Sequence, residues 1–322
     1  MKLHEENQLF RQAVLATAQE MQLPEIFVEK DYWVTLALKA VFNSASGADC
    51  VFKGGTSLSK CYGLIERFSE DVDLVVKRSE GDSGAQLKKK LRSISQSVEK
   101  VLPEVPVVGV TMKRGMIRKT AHTYPKLFEG RFGQVRGDVI ILESSWLGDS
   151  EPSAIRPLSC YLHEMMIRNG QGELAASFEL LPFDVQVLRP ERTLCEKIMS
   201  LVRFSCGDAP IESLKNKVRH IYDLHQLFER EEYDLFFDSA EFEVLLKKIA
   251  RSDLETLNHS DWIYSHPADA LVFKAAESVW KELEPVYSGS FHDLVYGELP
   301  PQEQLMKVLC RIRDRMRSFD WI

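Results

Sequence analysis

The chain has 322 residues, of which 44% are hydrophobic and 28% charged, with a formal net charge of −7. That length allows two domains, or one domain with a helical extension, and that composition excludes wholesale disorder. The acidic balance argues against uniform coating of nucleic acid, no apolar run approaches the ~20 residues of a membrane span, and MKLHEENQLF lacks a signal-peptide core, so a cytosolic protein is expected.

In chain order, residues 6–21 set Leu9, Phe10, Val14, Ala18 and Met21 near one side of a helix. Pro24 can open a second helix running to about Phe42. It carries Glu29-Lys30-Asp31-Tyr32-Trp33, whose three charges are expected to pair locally at the surface. After a loop at Asn43 to Asp49, the apolar Cys50-Val51-Phe52 breaks at Gly54-Gly55, where backbone without Cβ turns tightly and can approach a phosphate. Thr56 and Ser57 then stand where a helix would begin, with hydroxyls and N–H groups facing outward at its positive end. Beyond that helix, Asp71-Val72-Asp73 leads into Leu74-Val75-Val76, so that on a strand Asp71 and Asp73 share a face. Two such carboxylates repel unless a cation lies between them, and beside a nucleotide phosphate a hard ion such as Mg²⁺ is the natural occupant.

GGTSLSK followed by RFSEDVDLVV resembles the Gly-Gly-Thr/Ser and Asp-x-Asp signature of the nucleotidyltransferase superfamily, and within it the AbiEii/AbiGii toxin family, which includes the MenT-type toxins. Glu29-Lys30-Asp31-Tyr32-Trp33 is similar to an element found upstream of Gly-Gly-Thr in that family. The resemblance implies an α+β fold: a polymerase-β-like nucleotidyltransferase core with a mixed sheet and flanking helices, then a C-terminal helical domain. Residues 1–204 and 205–322 are the expected division. It further implies NTP as substrate, Mg²⁺ as cofactor, Asp71 and Asp73 as catalytic metal ligands, and nucleotide binding by Gly54, Gly55, Thr56 and Ser57.

Residues 79–84 form a loop, and residues 87–101 read as a basic amphipathic helix ended by Pro103. Between Lys77 and Lys126 twelve Lys and Arg face four acids, a net of +8 that leaves −15 elsewhere. This segment either guides a polyanion such as RNA or simply solvates a surface helix. Residues 105–112, 120–128 and 135–145 have strand composition. In the last of them Glu143 interrupts an apolar run, where a buried carboxylate needs a partner or a metal. The resemblance implies a third metal-binding carboxylate on a strand beside Asp-x-Asp. Glu143 is the candidate, Asp138 the alternative, and a strand-edge residue reaching water the plain reading.

Residues 177–188 are expected to be a final strand broken by Pro182, and Pro190 to open a helix on which Arg192 and Glu196 pair at the surface and leave Lys197 free. The resemblance instead makes Lys197 an active-site residue that neutralises charge on departing pyrophosphate. On the helix at 215–228, Arg219 and Asp223 are spaced for an ion pair. The resemblance places Asp223 in the active site, fixing Lys197 or a metal-bound water, while His220 is expected on the helix surface. The remainder is chiefly helical, and Tyr296-Gly297-Glu298-Leu299-Pro300 again resembles the family. Cys50, Cys61, Cys160, Cys195, Cys206 and Cys310 show no zinc-ligand spacing and read as free thiols.

MenT-type relatives imply tRNA 3′ ends as acceptor and a growth-inhibiting toxin, of a toxin–antitoxin or phage-defence system, countered by a cognate antitoxin. NMP transfer to a protein or small molecule is a second reading, and a catalytically silent nucleotide-binding module a third.

Overall fold

A computed structural model describes residues 2–69, 71–130, 139–256, 262 and 265–321. The chain folds into two compact units: Met1–Tyr62, Phe68–Trp146 and Ser153–Val187 make the first, and Gly63–Arg67, Leu147–Pro152 and Leu188–Ile322 the second.

The first unit is built on a seven-stranded sheet of β1 (Cys50–Lys53), β2 (Asp71–Val76), β3 (Glu104–Val105), β4 (Ile117–Thr123), β5 (Val139–Ser145), β6 (Ser153–Leu158) and β7 (Phe183–Leu188), in the order β3-β4-β5-β2-β1-β7-β6. β2 runs antiparallel to β1 and parallel to β5, so the sheet is mixed, as expected. Its helices are α1 (Asn7–Met21), α2 (Glu25–Phe42), α3 (Gly54–Lys60), α4 (Gly84–Glu99), α5 (Tyr161–Arg168) and α6 (Gly172–Ser177). Phe10, Val14 and Ala18 bury one side of α1, whereas α2 is buried almost all round, with Trp33 stacked on Tyr124. α4 packs behind the sheet, where Arg118 of β4 donates to Ser95.

Three strand expectations shift, each at a proline. Of the stretch at 105–112 only Val105, in the two-residue β3, and Met112, in a lone bridge to Lys119, keep strand pairing, because Pro106 and the positive φ of Gly109 turn the chain. The strand expected at 120–128 is β4, which ends before Pro125, a residue with no N–H to pair. Ser177 closes α6, and the strand begins only after Pro182, at Phe183. β6 had no counterpart among the expected strands; its Pro157 is tolerated because β6 is an edge strand. Asp138, with the rest of 135–138, lies outside the described residues.

The second unit contains α7 (Pro190–Phe204), α8 (Pro210–Lys215), α9 (Val218–Phe228), α10 (Glu231–Asp238), α11 (Ala240–Thr256), α12 (Leu271–Lys274), α13 (Ala276–Val286) and α14 (Gln302–Arg317). Pro190 fills the first position of α7, where its missing N–H costs nothing. α7, expected with the first domain, groups with this unit; its Leu194, Ile198 and Leu201 are buried, as are Ile221 and Leu224 of α9. Among the described residues no helix is long and apolar enough to cross a membrane.

Candidate active site

In the first unit, strand register decides what Asp71 and Asp73 face. Asp73 pairs with Lys53 of β1 on one side and with Glu143 of β5 on the other, and Glu143 pairs with Lys119 of β4. Directly paired residues project from the same face, so Lys119, Glu143, Asp73 and Lys53 form one row, with Asp71 two residues along. All five are half-buried. The Lys119 ammonium lies 3.2 Å from a Glu143 carboxylate oxygen. Burial pulls the Lys119 pKa down, but Glu143, Asp71 and Asp73 push it up, and the net shift is upward.

The donor chemistry suits Mg²⁺: three half-buried carboxylates on adjacent strands, two of them like charges directly paired. Convergence is incomplete. Among the described residues no three His, Cys, Asp or Glu side chains come close enough to hold an ion as they stand, and Glu143 is engaged by Lys119. The row therefore contains the expected acids together with two lysines that sequence reasoning missed.

β1 ends at Lys53, the φ of +81° at the following Gly54 requires glycine, and a Cβ there would collide with the Asp73 carboxylate. The glycine turn and the Asp-x-Asp strand thus touch. The helix begins at Gly54, earlier than expected, which turns Thr56 and Ser57 inward. Both are buried: the Thr56 hydroxyl donates to Asp71 O at 2.5 Å and the Ser57 hydroxyl to Gly54 O at 2.9 Å. These hydroxyls brace the turn rather than face outward. Glu29, Lys30 and Asp31 are likewise not surface residues, being 1%, 0% and 3% exposed. Glu29 accepts the N–H groups of Leu127 and Phe128 at 2.7 and 3.2 Å, and Asp31 pairs with Lys60 and accepts from Tyr161 N–H. A buried carboxylate has to be satisfied in this way, and here it ties α2 to the loop after β4, to the end of α3 and to the start of α5.

In the second unit Asp223 is fully buried and holds two cations. Arg67 donates to it through Nε at 2.7 Å and Nη2 at 2.8 Å, and Lys197 through Nζ at 2.5 Å. Burial pushes the Asp223 carboxyl pKa up, but Arg67 and Lys197 override this and hold it at about 2. One carboxylate shared by two cations leaves the monodentate one undercompensated, so burial and Arg67 bring the Lys197 pKa down. Lys197 is therefore not a free surface lysine. Arg192 is buried too, bonded to Glu196 at 2.9 Å and to Glu151 O at 2.8 Å.

His220 is half-buried rather than on the helix surface, and its Nδ1 makes no hydrogen bond among the described residues. Burial first, then Lys197, Lys217, Arg219 and Arg67, hold its pKa well below 6.5. A histidine depressed in the folded state costs nothing above its unfolded pKa. As pH falls below about 6.5 it withdraws stability, by at most about 1.4 kcal/mol per pH unit. His220→Gln is accordingly expected to flatten the fall in melting temperature between about pH 6.5 and 5; an unchanged profile in that variant would show that His220 protonates freely when folded.

Paired acids on the middle of a mixed sheet, in contact with a glycine turn, match the arrangement that the resemblance implies for a nucleotidyltransferase. The sequence profile of the family described as "Nucleotidyl transferase AbiEii toxin, Type IV TA system" matches residues 36–322, and the chain belongs to that family. The match starts beyond Trp33, so Glu29 to Trp33 falls outside it. Among solved structures, the nucleotidyltransferase toxin MenT4 from Mycobacterium tuberculosis is similar in fold, with a TM-score of 0.50 and 16% identity over 96% of this chain and 90% of that one. No curated protein matches the chain.

Proposed function

We propose that the protein moves an NMP unit from an NTP to the 3′ end of a tRNA with the help of Mg²⁺, and thereby arrests growth unless a cognate antitoxin intervenes. The observation that carries this reading is the row of carboxylates, Asp71, Asp73 and Glu143, set against the Gly54 turn. Asp71, Asp73 and Glu143 would hold the metal; when bound, Mg²⁺ orients the α-phosphate and lowers the acceptor hydroxyl's pKa. Gly54 and Gly55 present backbone to the outer phosphates, while Thr56 and Ser57 keep that backbone in place. The family resemblance assigns Lys197, held by Asp223 at 2.5 Å, the role of neutralising charge on the departing pyrophosphate. Exposed Lys88, Lys89 and Arg92 on α4, with Lys113 and Arg114 before β4, give the first unit a basic surface suited to an RNA backbone.

The test is incubation of the purified protein and Mg²⁺ with each of four α-labelled NTPs, with and without total tRNA, on a denaturing gel. Label on tRNA that weakens steeply with added salt is expected. Label on protein or on a small metabolite would keep the chemistry and replace the acceptor. Nucleotide binding without label on anything would identify a silent binding module.

A further inference from the structure

Lys119 has no place in the resemblance and none in the chemistry above, yet the register puts it at the end of the acidic row. Across β4, β5, β2 and β1 the paired residues are Lys119, Glu143, Asp73 and Lys53, a sequence of charges +, −, −, +. Opposite charges paired across strands attract and like charges repel, so the weak link of the row is its centre, Glu143 beside Asp73. At 3.2 Å, Lys119 takes the Glu143 carboxylate from the outer side. Its neighbours on the strand are committed to the other face of the sheet, Arg118 to Ser95 and Thr120 to His122. Lys119 alone at this point of β4 answers to the acids, and its side chain is 27% exposed on a flexible stem. The ammonium can therefore leave Glu143 without any change in the backbone.

We propose that Lys119 is the resident counter-cation of the carboxylate row, holding Glu143 aside and competing with divalent metal for it. Resting on the metal-binding role assigned above to Asp71, Asp73 and Glu143, this makes Lys119 a positioning residue that sets how tightly the row takes a metal. With Lys119 on Glu143 the row is partly neutralised and its third carboxylate is engaged. Release of Glu143 completes the ligand set. Free metal alone is then bound weakly, and the full set assembles only when the incoming cation outcompetes one tethered ammonium.

The test is Mn²⁺ titration of the nucleotide-free protein by calorimetry, at fixed pH and salt, for wild type, Lys119→Met, Lys119→Arg, Glu143→Gln and the Lys119→Met/Glu143→Gln pair. Lys119→Met is expected to tighten Mn²⁺ binding about tenfold, from removal of one nearby positive charge, while Lys119→Arg stays near wild type. In the Glu143→Gln background the same substitution should lose most of that gain, as coupled sites do. Circular dichroism verifies folding, and Lys119→Gln takes the place of Lys119→Met if the latter does not fold. An unchanged or weaker Mn²⁺ affinity in folded Lys119→Met overturns the proposal, as does an equal gain with Glu143→Gln present, or Mn²⁺ binding undetectable in every variant. Label transfer by the wild-type protein is read separately, so failure of this inference and failure of the nucleotidyl-transfer reading are distinguishable.

Discussion

Asp73→Asn is expected to lower label transfer by about three orders of magnitude, the several kcal/mol that a metal contributes to such a transition state. The amide keeps the size of the side chain and removes the charge a hard cation requires. Stability should move little. Asp73 pairs with Lys53 on one side and Glu143 on the other, so its neutralisation removes one attraction and one repulsion together. The melting temperature is expected to stay within roughly 3 °C of wild type. Asp71→Asn should behave in the same way, since Asp71 lies two residues along the same strand face. Retention of a tenth or more of wild-type activity in both variants would remove the carboxylates from the chemistry.

Asp223→Ala should have the opposite signature, a large loss of stability. Arg67 is 2% and Lys197 5% exposed, and removing Asp223 takes from both buried cations the carboxylate they share. Breaking a buried ion pair from one side costs about 3–5 kcal/mol, and a drop in melting temperature of roughly 10 °C or more is expected. Acid should mimic the substitution. The folded carboxyl, held at about 2, lies below its unfolded value, so it contributes full stability above about pH 4 and loses it as pH falls toward 2. Lys197→Met separates chemistry from fold: it leaves the Arg67–Asp223 pair in place and exchanges a burial-strained ammonium for an apolar chain of similar shape. Its stability should stay within about 1 kcal/mol of wild type, with activity lost through the missing charge. Chemical denaturation of the three proteins at neutral pH, beside the label assay, checks both expectations. Equal stability of Asp223→Ala and wild type would mean that Arg67 and Lys197 find other counter-charges.

Much of this was legible in the residues. Gly54-Gly55 and Asp71-Val72-Asp73 are local signals: a positive φ needs glycine, and alternation on a strand sets two carboxylates on one face whatever lies around them. The helices α1, α2 and α7 announced themselves by apolar side chains and by Pro24 and Pro190. Local rules failed where a segment's state depends on its neighbours. β6 contains a proline that only an edge position tolerates, and Glu29, Lys30 and Asp31 read as surface charges until α2 is seen packed on all sides.

By itself, then, the sequence determined the local parts and the kinship: a glycine turn, a pair of acids on one strand face, and the family to which the chain belongs. Only the tertiary structure decided which charges meet. Lys119 reaches Glu143 because β4 pairs with β5 in one particular register, and a shift of one residue would have sent that lysine to the opposite face. Arg67 reaches Asp223, 156 residues away along the chain, because both are buried in one core where neither charge can stand alone. Spacing along a helix or strand predicts neighbours within an element; partners between elements follow from strand register and burial, which no local pattern encodes.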